Sequence, residues 1–105
     1  MSIFTIRVGN TSPALEYTLR PSTIDLAGAV VRFHMVKSDG TVTIDNQLDG
    51  VTFETDEPVI TYQWQEGDTD VAGRYEGEFR VTYEDGSLET FPARGFIAIM
   101  FEDRT

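Results

Sequence analysis

The sequence predicts an all-β fold, an antiparallel β-sandwich of about eight or nine strands. Apolar and polar side chains alternate with a period of two along most of the chain, whereas apolar residues at helical spacing are hard to find. Turn residues separate these runs at intervals of about ten residues, which is typical of a sandwich rather than of alternating strands and helices. Two of the three Asp-Gly pairs in the sequence, Asp39-Gly40 and Asp85-Gly86, each lie between alternating runs.

Two strands are predicted at the start of the chain, separated by the turn-forming stretch GNTSPA. Their apolar positions alternate with Thr, Glu and Arg and are Phe4, Ile6, Val8, Leu15, Tyr17 and Leu19. Residues 21–28, PSTIDLAG, read as a loop. The following stretch, AVVRFHMV, places Val31, Phe33 and Met35 on one face of a third strand.

These two Asp-Gly pairs predict hairpins, because glycine can take the positive φ that a tight turn requires. Asp39-Gly40 joins the third strand to a fourth, and Asp85-Gly86 joins GRYEGEFRVTY to a short strand near Leu88. Between the hairpins lie shorter runs around Val51 and from Val59, and in the second run Ile60, Tyr62 and Trp64 share a face.

The segment from Asp68 to Phe79, DTDVAGRYEGEF, carries the features of a tyrosine corner. Asp68 is expected to cap a single helical turn, and Gly73 to end that turn in a left-handed conformation. The hydroxyl of Tyr75 is expected to bond a backbone group near Asp70 or Val71. These features make the predicted sandwich immunoglobulin-like.

The predicted core is centred on Trp64, with Phe33, Phe79 and the corner tyrosine Tyr75. Gly77 stands where immunoglobulin domains have a cysteine two residues after the tyrosine, and cysteine is absent from this chain. We therefore expect a large neighbour, most simply Trp64, to fill the volume that a disulfide would occupy.

Composition limits the function classes. With 105 residues, a single domain over 1–105 is expected, and a core of that size needs no disulfide or metal. Eighteen acidic against eight basic residues give a net charge of -10, which argues against nucleic acid and anionic membranes as partners. The N-terminal residues have no signal-peptide pattern, so synthesis in a cytoplasm is expected.

No constellation of residues points to catalysis or to a cofactor. His34 is the only histidine and lies in mid-strand on a polar face, where neither a serine triad nor a zinc site can be assembled. Acidic pairs lie at predicted turns, where Asp is common for local hydrogen-bonding reasons. An adventitious calcium ion at Asp68 and Asp70 is the lesser alternative. The predicted protein is not an enzyme and has no metal or cofactor.

The final run, FIAIMF, is apolar on both faces. This is unusual for a sandwich strand, because one face of such a strand is normally exposed to solvent. Either the N-terminal strand or another subunit is expected to cover it. The hypothesis places a partner interface on Ile97, Ile99 and Phe101 together with Ile3. It also predicts that charging Ile97 and Ile99 blocks assembly and leaves the fold intact.

Two stretches and the closing apolar strand resemble the immunoglobulin-like N-terminal domain family of bacteriophage baseplate upper proteins. The stretches are DLAGAVVRFHMVKSDGTV and YQWQEGDTDVAGRYEGEFRVTYEDGSLETFP. The resemblance covers about residues 25–101. It implies a non-enzymatic tail or baseplate protein of the virion that binds copies of itself and other virion structural proteins. A head decoration or head-tail connector protein is the alternative within the same class.

A carbohydrate-binding module for host-surface glycans is the alternative from another class, since sandwiches with exposed aromatic side chains often bind glycans. Most aromatic residues of this sequence alternate into the predicted core, which makes glycan the less favoured partner. A glycosidase built on two carboxylates ranks third.

Overall fold

The computed structural model describes residues 3–19, 24–54 and 58–103. These residues form nine β-strands in two sheets. The strands are β1 (Phe4–Arg7), β2 (Leu15–Thr18), β3 (Val30–Lys37), β4 (Val42–Gln47), β5 (Val51–Phe53), β6 (Val59–Tyr62), β7 (Gly73–Thr82), β8 (Leu88–Phe91) and β9 (Ile97–Glu102). The first residues of the loop predicted for 21–28 lie outside the described residues. No helix in the described part of the chain has the length and apolar character needed to span a membrane.

The larger sheet has the order β1-β9-β7-β3-β4, and β8 also pairs with β7. The long strand β7 pairs with two strands, one after the other, along one of its edges. Its first half pairs with β9 from Gly73 to Gly77, and its second half pairs with β8 from Phe79 to Thr82. Strand β1 then pairs in parallel with β9, beginning at Phe4 opposite Ile99.

The smaller sheet has the order β2-β6-β5, with both pairings antiparallel. Alternation turns one face of each sheet inward, and the buried side chains form one continuous core between them. Its largest fully buried members are Trp64, Tyr62, Phe33, Phe79 and Phe101. The predicted all-β immunoglobulin-like sandwich of eight or nine strands is confirmed.

Both predicted Asp-Gly hairpins are present, between β3 and β4 and between β7 and β8. Gly40 and Gly86 have φ values of 94° and 90°, which residues with a side chain rarely adopt. Each preceding aspartate accepts a backbone N–H two residues on, that of Thr41 for Asp39. The carboxylate and the glycine together close the turn.

The tyrosine corner is also present. Tyr75 is buried, and its hydroxyl donates a 2.6 Å hydrogen bond to the Val71 carbonyl, at one of the two predicted positions. The expected role of Gly73 is wrong. Its φ of 143° lies outside the left-handed helical region, and the residue begins β7 instead of ending a helical turn.

Asp68 likewise differs from its predicted role as a helix cap. Its carboxylate reaches backwards and accepts the Gln65 backbone N–H at 2.8 Å and the Tyr62 hydroxyl at 2.5 Å. The segment from Gln65 is a series of turns without a helix, closed by the Asp68 N–H donating to the Gln65 carbonyl. Asp68 therefore ties this turn to the buried phenol of β6.

The core contains Trp64, Phe33, Phe79 and Tyr75 as predicted, but Trp64 does not fill the space beside Gly77. A Cβ placed on Gly77 would lie 2.8 Å from the Cδ1 atom of Ile99 and 3.1 Å from the ring of Phe33. Those two side chains fill the volume. The Trp64 ring instead packs against several aromatic neighbours at centroid distances of 5.3 to 6.0 Å, namely Tyr62, Phe101, Phe4 and Phe33.

Candidate functional site

The predicted interface on the last strand has the wrong facing. Ile99 and Phe101 are each only 1% exposed, because the pairing of Ile99 with the inward-facing Tyr75 turns this side of β9 into the core. The outward side chains of β9 are Ala98, Met100 and Glu102. Strand β1 lies beside β9 as a parallel edge strand and does not fold over its face.

The other two residues of the predicted interface do reach the surface. Ile3 is 46% exposed, and Ile97 is half-buried at the start of β9. Both line a groove of about 610 Å³ on one side of the sandwich. Phe96, which is not one of the predicted interface residues, lines the same groove and is 49% exposed. This groove is the candidate binding site.

The groove lies between the edges of the two sheets. One wall is β2 of the smaller sheet, and the other is the beginning of β9 with the preceding chain from Pro92. Phe4, at the point where β1 begins to pair with β9, is also part of the lining. The lining is mainly apolar, with Glu16 and Arg94 as its charged members. Its residues are Ile3, Phe4, Leu15, Glu16, Tyr17, Pro92, Arg94, Phe96, Ile97 and Ala98.

Burial raises the pKa of Tyr17, a residue of the β2 wall of this groove. The phenol therefore stays neutral through the physiological pH range. Glu16 and Arg94 are the acidic and the basic residue of the lining.

The outer face of the larger sheet carries His34, as expected for a histidine on a polar face. Its Nδ1 atom lies 3.5 Å from a carboxylate oxygen of Asp45, without a hydrogen bond between them. Among the described residues, no hydroxyl forms a hydrogen bond with this imidazole that could make a nucleophile. Nearby, Arg80 donates to Glu78 at 2.6 Å and to Asn46 at 2.8 Å, so its guanidinium is engaged within the sheet.

Within residues 3–19, 24–54 and 58–103, no group of three or more His, Asp and Glu side chains is arranged to hold a metal ion. At the site proposed for adventitious calcium, Asp68 already accepts two hydrogen bonds. Its carboxylate has a structural role in the turn before β7.

No family model matches the chain, and no curated protein matches it. Among solved structures, the chain is similar to CopC from Methylosinus trichosporium OB3b, with a TM-score of 0.58 and 14% sequence identity. The alignment covers all of this chain and 88% of that protein. At this identity the likeness establishes the β-sandwich fold.

This finding corrects the predicted role in a bacteriophage virion. The whole chain shares its fold with a CopC, which is not a phage protein, so the predicted tail or baseplate role and its alternatives, head decoration and head-tail connector, are wrong. The resemblance to the baseplate upper protein family stays a prediction that no comparison tests.

Proposed function

We propose that this protein is a non-enzymatic binding module whose ligand occupies the groove between β2 and the beginning of β9. The observation that carries the proposal is the pair of large apolar side chains at the groove, Ile3 and Phe96, each about half exposed. A volume of about 610 Å³ lies within the range of ligand sites, which is about 300 to 1,000 Å³.

The groove is favoured over the other exposed apolar residues because its apolar surface is concave and contiguous. Leu88 is 77% exposed and Val71 is 56% exposed, but they lie on separate turns or edges away from the groove. Scattered apolar side chains of this kind are normal on a protein surface, whereas clustered ones mark interaction sites. The proposal is supported by clustering, not by exposure alone.

The proposal is tested by binding of Nile red, an uncharged apolar dye, to the purified protein. We expect the dye to bind and Phe96→Asp to weaken that binding at least about fivefold, because the charge is placed in the apolar lining. The matched control is Leu88→Asp, which makes the same change at an exposed apolar residue outside the groove.

Both variants should keep the wild-type circular dichroism spectrum, since neither side chain belongs to the core. Equal dye affinity of the wild-type protein and the Phe96→Asp variant would show that the groove is not the binding site. An equal loss in both variants would show that the dye reports surface charge.

A further inference from the structure

The strand that forms one wall of the groove has an unpaired edge. Strand β2 pairs with β6 on one side, and no other strand of the described residues pairs with it. The Leu19 N–H donates a 2.8 Å hydrogen bond to the Pro58 carbonyl, which shows that the backbone groups of Leu19 point toward the β6 side. Along an antiparallel pair, residues whose backbone groups point to the partner strand alternate with residues whose backbone groups point away. The backbone groups of Tyr17 and Leu15 therefore also point to β6.

The backbone N–H and C=O groups of Glu16 and Thr18 therefore point away from β6, to the open edge. Glu16 stands opposite Thr61 of β6, at a position whose backbone groups do not bond within that pair. Within the described residues, these two positions of β2 carry donors and acceptors suited to one more strand.

The open edge of β2 lies along the groove itself. Leu15, Glu16 and Tyr17 are consecutive, and all three line the groove, although their side chains alternate between the two faces of the sheet. A strand added beside β2 would alternate in the same way. Every second side chain would enter the groove opposite Phe96 and Ile97, and the others would face outward with Glu16.

We propose that the groove takes an extended peptide segment in which apolar and basic residues alternate, added as a strand to the free edge of β2. This inference rests on the proposed function and names the ligand class of the same site. Apolar side chains of the peptide fill the groove, and a Lys or Arg lies across from Glu16, since opposite charges on facing strand positions stabilise the pairing. Main-chain hydrogen bonds to Glu16 and Thr18 hold the segment in register.

Charge selects this occupant over a second copy of the chain. Each copy carries a net charge of -10, and two copies joined along β2 would bring like charges together. A basic segment is attracted by the same field and approaches faster at low salt. Arg94 lines the opposite wall, in the chain between β8 and β9, whereas Glu16 lies on β2 itself.

Two sets of synthetic peptides of about eight residues test the inference. In the first set valine alternates with lysine, and in the second set valine alternates with glutamate. We expect the lysine set to bind and to slow hydrogen exchange of the Glu16 and Thr18 amides at least about tenfold, measured by NMR on labelled protein. The amides of Leu15 and Tyr17 already bond to β6 and should change little.

A pair of variants tests the role of charge. Glu16→Lys should weaken binding of the lysine peptides by about two- to fivefold, the size expected for one facing strand pair. Glu66→Lys is the matched control, because it changes the net charge equally at an exposed residue that does not line the groove. It should change affinity less than Glu16→Lys does.

The outcomes separate this inference from the proposed function. Equal binding of both peptide sets, or protection of amides on another edge, would overturn the basic-strand inference. Failure of both sets, while Nile red still binds and responds to Phe96→Asp, would also overturn it and leave the groove as a site for another ligand. Failure of the dye as well would remove both proposals.

Discussion

The Tyr75 hydroxyl donates a 2.6 Å hydrogen bond to the Val71 carbonyl, four residues earlier in the chain. This bond fastens the turn before β7 to the strand that pairs with three others. We expect Tyr75→Phe to lower the free energy of unfolding by about 1 kcal/mol, the usual net value of one such bond. Urea denaturation of the two proteins measures the difference.

Tyr83→Phe provides the control for this substitution. The Tyr83 hydroxyl donates at 2.8 Å to Glu89 in an exposed hairpin, where water replaces a lost partner easily. Its effect should be smaller than that of Tyr75→Phe. A larger effect at Tyr83 would show that the corner hydrogen bond does not stabilise the fold as argued.

Stability should fall in alkaline solution because of Tyr62. Burial raises the pKa of this phenol well above its ordinary value of 10.0, and the hydrogen bond to Asp68 and the charge of that carboxylate add to the effect. Below about pH 10 the phenol is neutral in both folded and unfolded chains, so its contribution is fully present. Above that pH the unfolded chain loses the proton first, and the free energy of unfolding decreases.

Urea unfolding measured from about pH 8 to about pH 11 should show this decrease in the wild-type protein. Tyr62→Phe should flatten the curve in that interval, whatever its effect at neutral pH. Some slope should remain, since the pKa of Tyr83 is raised to about 12 by burial and by its bond to Glu89. An unchanged slope in Tyr62→Phe would exclude Tyr62 as the group responsible.

The corrected facing of β9 has its own test in two adjacent residues. Ile99 lies in the core at 1% exposed, whereas Met100 points outward and is half-buried. Ile99→Asp should unfold the domain or lower its stability by several kcal/mol, because an unpaired carboxylate is costly in an apolar interior. Met100→Asp should leave a folded protein, as thermal unfolding would show. Similar stabilities of the two variants would contradict this facing, and a larger loss in Met100→Asp would mean that the strand faces the other way.

Local patterns predicted most of the fold, because in a strand with one solvent-exposed face the alternation of apolar and polar residues indicates which face is buried. The strand β3 shows this, with Phe33 buried between outward Arg32 and His34. The Asp-Gly turns could be predicted equally well, since the interactions that form such a turn involve only a few consecutive residues. Alternation could not predict which face of β9 is buried, because FIAIMF is apolar at every position. The buried face is determined by the pairing of Ile99 with Tyr75.

The candidate site was beyond local patterns for a related reason. It depends on the edge of β2 lying across a groove from Phe96, a relation between segments about 80 residues apart in the sequence. Asp68 shows the same limitation on a smaller scale. Its sequence context predicted a cap, but the buried hydroxyl of Tyr62 supplies its second partner.

Gly77 provides the last test, since its hydrogen atom faces a fully packed part of the core. In Gly77→Ala the new Cβ would lie 2.8 Å from the Cδ1 atom of Ile99, a distance that forces the surrounding atoms to move. Overpacking of this kind costs about 1 to 3 kcal/mol. Ile99→Val removes the clashing methyl group and by itself should cost about 1 kcal/mol.

The double variant Gly77→Ala with Ile99→Val should be more stable than the sum of the two single losses predicts, because each change relieves the other. Urea denaturation of the four proteins gives the coupling energy directly. Phe33 keeps its ring carbons 3.1 Å from the new Cβ, so the rescue should be partial. Strict additivity of the two losses would mean that Ile99 is not the side chain that fills the space beside Gly77.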